Sequence, residues 1–85
     1  IDLTIFPNPG SENINISFNN LSAQHVQIDL YNVLGVNVMN VVDSYLAAGY
    51  HNINLAAGAL RPGTYLCKIL IGNKFYIEKI VIEEN

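Results

Sequence analysis

The stretch Leu60-Arg61-Pro62-Gly63-Thr64-Tyr65-Leu66-Cys67-Lys68-Ile69-Leu70-Ile71-Gly72-Asn73-Lys74-Phe75-Tyr76-Ile77-Glu78-Lys79-Ile80-Val81-Ile82 decides the fold. Pro62-Gly63 is a turn signal, because proline presets φ and glycine tolerates φ > 0. The spacing predicts Gly63 at the third position of a type II turn. Two β-rich runs follow, and only Gly72-Asn73 separates them. That dipeptide suits a two-residue hairpin, which sets Ile71 opposite Lys74 and Tyr65 opposite Ile80. Tyr65, Cys67 and Ile69 then share a face, because strand residues two apart do. A long antiparallel hairpin is expected at this end of the chain.

The same period of two recurs upstream. Asn13-Ile14-Asn15-Ile16-Ser17-Phe18 and Val26-Gln27-Ile28-Asp29-Leu30-Tyr31 alternate apolar and polar residues. These read as half-buried strands with Ile14, Ile16, Phe18, Val26, Ile28 and Leu30 inward. Residues 3–6 form a short apolar run ended by Pro7-Asn8-Pro9-Gly10. Prolines cannot donate to a ladder, so this is an edge strand running into a turn. Asn32-Val33-Leu34-Gly35 suits a four-residue hairpin with Gly35 near the left-handed region. Residues 36–42 return as a strand whose alternation fails at Val38-Met39 and Val41-Val42, the mark of a bulge or an early end. His51-Asn52-Ile53-Asn54-Leu55 is a further strand, with Ile53 and Leu55 inward. Residues 56–60 read as one helical turn or a crossing loop, with Leu60 plugging the core. Seven strand candidates separated by short turns predict an all-β, immunoglobulin-like antiparallel sandwich, with a small barrel as the alternative. The Cys…Trp…Cys pattern of true immunoglobulin domains is absent.

The chain has 85 residues, which sets the expectation of a single domain. Hydrophobic residues make up 51% and are spread throughout, which excludes a disordered tail. The net charge of -3 and the absence of a basic stripe argue against a nucleic-acid partner. The four basic residues, Arg61, Lys68, Lys74 and Lys79, read better as a solvated sheet face than as a phosphate track. No apolar run reaches the roughly 20 residues a transmembrane helix needs, so no transmembrane segment is predicted. No secretory signal is visible, and the chain starts at Ile1. It is therefore expected to be cut from a longer protein, with any targeting segment upstream. The single cysteine leaves no internal disulfide, so packing alone must hold the fold.

Residues that could carry chemistry are few. Cys67 with His25 or His51 would make a nucleophile and a base, but a cysteine inside an apolar strand acts as a small hydrophobe. Asp2, Asp29 and Asp43 stand singly, and Glu78, Glu83 and Glu84 do not combine with the histidines at ligand spacing. No phosphate loop or nucleophile elbow occurs. Neither a catalytic residue, nor a metal site, nor a cofactor is predicted. The frequent asparagines read as solvated strand faces and turns. Tyr31, Tyr45, Tyr50, Tyr65 and Tyr76 read as core and rim packing ahead of a sugar-stacking surface.

Four segments resemble, in order, the type A C-terminal sorting domains of the type IX (Por) secretion system. Pro7-Asn8-Pro9, followed by Ile14-Asn15-Ile16, is similar to the opening of that family. Ile28-Asp29-Leu30-Tyr31-Asn32-Val33-Leu34-Gly35 resembles its tyrosine- and glycine-marked hairpin. Leu60-Arg61-Pro62-Gly63-Thr64-Tyr65, with Lys68-Ile69, resembles its "Leu-x-x-Gly-x-Tyr" segment. Lys79-Ile80-Val81 resembles its final strand. Two departures are Phe6, where tyrosine is frequent, and the ending Glu83-Glu84-Asn85, where many members carry a basic residue. The resemblance implies a non-enzymatic address label at the end of a larger secreted protein. It implies passage through the periplasm and recognition by outer-membrane type IX components. Removal by a sortase-like peptidase and arrival at the cell surface or medium would follow. Pro7, Asn8, Pro9, Gly35, Leu60, Gly63, Tyr65, Lys68, Lys79, Ile80 and Val81 are the sorting-motif candidates. The rival readings are an accessory module for carbohydrate binding or adhesion, and a spacer between domains.

Overall fold

A computed structural model describes residues 2–84, so the predicted features at Ile1 and Asn85 lie outside the described residues. The strands are β1 (Thr4–Phe6), β2 (Asn13–Asn20), β3 (Gln24–Asn32), β4 (Asn37–Leu46), β5 (Gly49–Ala56), β6 (Gly63–Ile71) and β7 (Lys74–Ile82). A 3-10 turn, Ala57–Ala59, links β5 to β6. One sheet has the order β1-β2-β5 and the other β4-β3-β6-β7, with every pair antiparallel. The two sheets pack as the expected sandwich. The fourth strand pairs with the third, so it completes the larger sheet rather than widening the smaller one.

Alternation in the sequence becomes burial in the fold. Ile14, Ile16 and Phe18 of β2, and Val26, Ile28 and Leu30 of β3, are fully buried. Each such side chain contributes roughly 1.5–3 kcal/mol relative to exposure. Tyr65, Cys67, Ile69 and Ile71 meet them from β6, and Ile80 and Ile82 from β7. Leu60 packs half-buried against the same cluster. Of the two buried polar residues, Asn20 and Asp29, Asn20 is the more enclosed. Its amide nitrogen donates to the carbonyls of Leu46 and Ala47 at 3.2 and 2.9 Å, and its oxygen accepts from Gln24 Nε2 at 2.8 Å. This pairing removes the cost of an unsatisfied buried amide and fastens the β4–β5 turn to β2.

The turns follow their residues. Asn32 Oδ1 accepts from the backbone N–H groups of Leu34 and Val36, and Gly35 has φ +82. The β6–β7 register sets Ile71 opposite Lys74 and Tyr65 opposite Ile80, as predicted. In β4 the register slips twice, leaving Val41 and Val38 without partners on β3. Both apolar doublets therefore mark bulges, and β4 continues to Leu46, beyond its predicted end.

Gly63 differs from expectation. It is the first residue of β6, with φ +154, whereas a type II turn requires about +80 at its third position. Its positive φ serves the entry into a strand instead.

Candidate functional site

Proline-rich sequence makes the first element leave its sheet. β1 pairs with β2 only through Phe6, and Pro7 and Pro9 then lack the N–H groups needed to continue. The Phe6–Pro7 and Asn8–Pro9 peptide bonds are both cis. The chain crosses to the outer edge of β7, in the other sheet. There Asn8 substitutes a side-chain amide for the backbone groups its neighbours lack. Its Nδ2 donates to the Lys79 carbonyl at 2.9 Å, and its Oδ1 accepts from the Val81 N–H at 2.9 Å. Gly10 continues the contact as ordinary backbone: its N–H donates to the Val81 carbonyl at 3.0 Å, and its carbonyl accepts from Glu83 N–H at 2.7 Å. Gly10 and Ile82 form a parallel bridge. A β-carbon at Gly10 would lie 2.7 Å from both Ile14 Cγ1 and the Pro7 carbonyl, so only glycine fits this approach unchanged.

Three further segments reach the same end of the larger sheet. Asn32, which opens the Gly35 hairpin, pairs with Tyr65, and Tyr65 pairs with Ile80. Gly63 pairs with Ile82. The Tyr65 hydroxyl donates to the Arg61 carbonyl at 2.5 Å, closing the loop that carries Pro62. This is the geometry of a tyrosine corner, in which a strand tyrosine bonds backbone a few residues upstream. Pro7, Asn8, Pro9, Gly35, Leu60, Gly63, Tyr65, Lys79, Ile80 and Val81 therefore belong to segments gathered at one end.

Their local environments divide them. Ile80 is fully buried, Tyr65 nearly so and Leu60 partly, so packing accounts for all three. Asn8, Pro9, Gly35, Gly63 and Lys79 are exposed, and Pro7 and Val81 are half-buried. Lys68 stands apart. It lies opposite Asp29 and Ile77 in mid-sheet, on the outer face, with Nζ 5.3 Å from the Phe75 ring centroid. That distance is a cation–π contact. Gly10 was missed from the sequence. Its only signal is its place directly after Pro9.

The groups that could carry chemistry are not assembled. Burial first, then the charges of Glu78 and Asp29, push the Cys67 thiol up to about 12. It is therefore neutral near pH 7 and a poor nucleophile. His25 pairs with Asp43 at 2.5 Å, and His51 contacts the Ala47 carbonyl at 2.7 Å and stacks on Phe18. Among the described residues, no cluster of three or more potential metal ligands occurs. Among these same residues, no helix is long and apolar enough to cross a membrane. Tyr65, Tyr31 and Tyr76 are buried or partly so, while Tyr45 and Tyr50 are exposed.

The family model described as "Secretion system C-terminal sorting domain" matches residues 4–83 of the 85. No curated protein matches the chain. The matched span includes all four converging segments. Members of the family act as sorting signals for linked cargo bound for the cell surface or the medium, and the family is not a catalytic one. This chain belongs to that family, the C-terminal sorting domains of the type IX secretion system.

Proposed function

We propose that these 85 residues form the last domain of a larger secreted protein, and that the gathered end of the sandwich is the surface the secretion machinery reads. The cargo would reach the periplasm by a separate signal, pass the outer membrane under direction of this domain, and lose it to a sortase-like peptidase. One observation carries this reading. The exposed motif residues Asn8, Pro9, Gly63 and Lys79 lie on or next to β7, whose C-terminal half is clamped by Asn8 and Gly10. A recognition surface of this kind is built by the fold, not by a linear peptide.

The test is a fusion of residues 1–85 behind a periplasmic reporter, in a host with type IX machinery. The reporter should reach the surface or the medium. Removing everything from Lys74 onward strips β6 of its outer partner, and the reporter should stay in the periplasm. Lys79→Ala removes an exposed charge and should leave folding within about 0.5 kcal/mol. A folded but unsorted Lys79→Ala protein would locate recognition at this end. Normal export of the truncated fusion would instead favour the accessory-module reading.

A further inference from the structure

β7 is an edge strand, and only half of its outer edge is covered. From the Lys79 carbonyl onward, Asn8 and Gly10 occupy the edge groups. Among the described residues, none covers 74–78 in this way. Even-numbered residues of β7 pair with β6 from the two-residue turn onward, so the odd-numbered ones direct N–H and C=O outward. The Asn8 and Gly10 contacts, made to Lys79, Val81 and Glu83, confirm that phase. Phe75 and Ile77 therefore present two free donors and two free acceptors. These two residues are 59% and 55% exposed, an unusual load of apolar surface for an open edge.

The segment is complementary to itself. Two antiparallel copies related by a twofold axis at Tyr76 place Phe75 opposite Ile77 of the second copy, and the reverse. In that register the four free edge groups of each copy are all used. Lys74 faces Glu78 across the axis, twice, and these are opposite charges at directly opposed positions. Shifting by two residues in either direction loses both charge pairs. One such shift also calls on the Lys79 carbonyl, which Asn8 already holds. Lysine on an edge strand normally discourages pairing; here it selects one register.

We propose that the free half of β7 is a docking edge for a second copy of this chain, which joins the two larger sheets through residues 74–78. The contact is short, well below the roughly 1,200 Å² of stable complexes, so the dimer is weak, with a dissociation constant on the order of 10⁻⁴ M.

Sedimentation equilibrium from about 10 μM to 1 mM tests it. The native chain should show a reversible monomer–dimer equilibrium. Lys74→Glu alone and Glu78→Lys alone each turn two attractive pairs into two repulsive ones, and each should raise the dissociation constant at least about tenfold. Mixing the two variants restores both attractions. The glutamate introduced at position 74 of one chain faces the lysine introduced at position 78 of the other, and the unchanged Glu78 of the first faces the unchanged Lys74 of the second. The mixture should therefore form a heterodimer at least as tight as the native dimer. Amide exchange at Phe75 and Ile77 should slow as concentration rises. Circular dichroism checks that these exposed substitutions leave the fold intact. A native chain that is monomeric at 1 mM, or a dimer indifferent to both charge reversals, would overturn the proposal.

Discussion

Asn8 holds Lys79. Its side-chain amide donates to the Lys79 carbonyl at 2.9 Å across 71 residues of sequence, while its oxygen accepts from Val81 N–H. The first strand's exit and the last strand's edge are thereby one structural unit.

Asn8→Ala removes both bonds and exposes the edge of β7. The expected loss is about 1–2 kcal/mol, the range for two hydrogen bonds at a solvent-facing site. Asn8→Asp keeps the acceptor for Val81 but aims a second acceptor at the Lys79 carbonyl, so it should cost at least as much near pH 7. Urea denaturation of the three proteins measures this. An Asp variant as stable as the native chain would mean that the bond to Lys79 contributes nothing.

Gly63 and Gly10 should both resist alanine, for different reasons. Gly63 has φ +154, and a β-carbon added there would have no atom within 4 Å, so the cost is backbone strain alone, about 1–3 kcal/mol. Gly10 has no positive φ, but its β-carbon would strike Pro7 and Ile14 at 2.7 Å. Gly10→Ala should therefore detach the clamp, seen as faster amide exchange at Val81 and Glu83. Gly63→Ala should lower the melting temperature without that local signature.

Tyr65→Phe deletes only the hydroxyl that donates to the Arg61 carbonyl. The ring stays, so the core keeps its volume. A loss of about 1 kcal/mol is expected. Melting temperatures of the two proteins decide the matter, and equal values would show that the corner is held by packing.

Cys67 should react slowly with a thiol reagent until the chain is denatured. Its thiol is raised from 9.0 to about 12 in the fold, so the folded state disfavours the thiolate. The unfolded chain loses the proton first. The stability associated with this group is thus complete below about pH 9 and is lost as pH rises toward 12. Cys67→Ala lacks the effect. The stability gap between native and variant should narrow, by on the order of a few kcal/mol, across that window.

Much of this architecture is local information. The period of two in β2 and β3 determined which side chains face inward, because successive strand residues point to opposite faces. Asn32 with Gly35, and Gly72 with Asn73, determined two hairpins and the register of β7. The doublets Val38-Met39 and Val41-Val42 marked both bulges, since two adjacent apolar residues cannot both face one side of a regular strand. Four short motifs also carried the family resemblance in order along the chain. Tertiary structure decided the rest. The sheet that β4 joins, its extension to Leu46, the backbone of Gly63 and the need for glycine at position 10 all depend on distant strands. The same holds for the clamp of Asn8 on Lys79 and for the convergence of the motif segments at one end. Side-chain alternation specifies a strand's faces, whereas its edges are satisfied by whichever backbone the completed fold brings alongside.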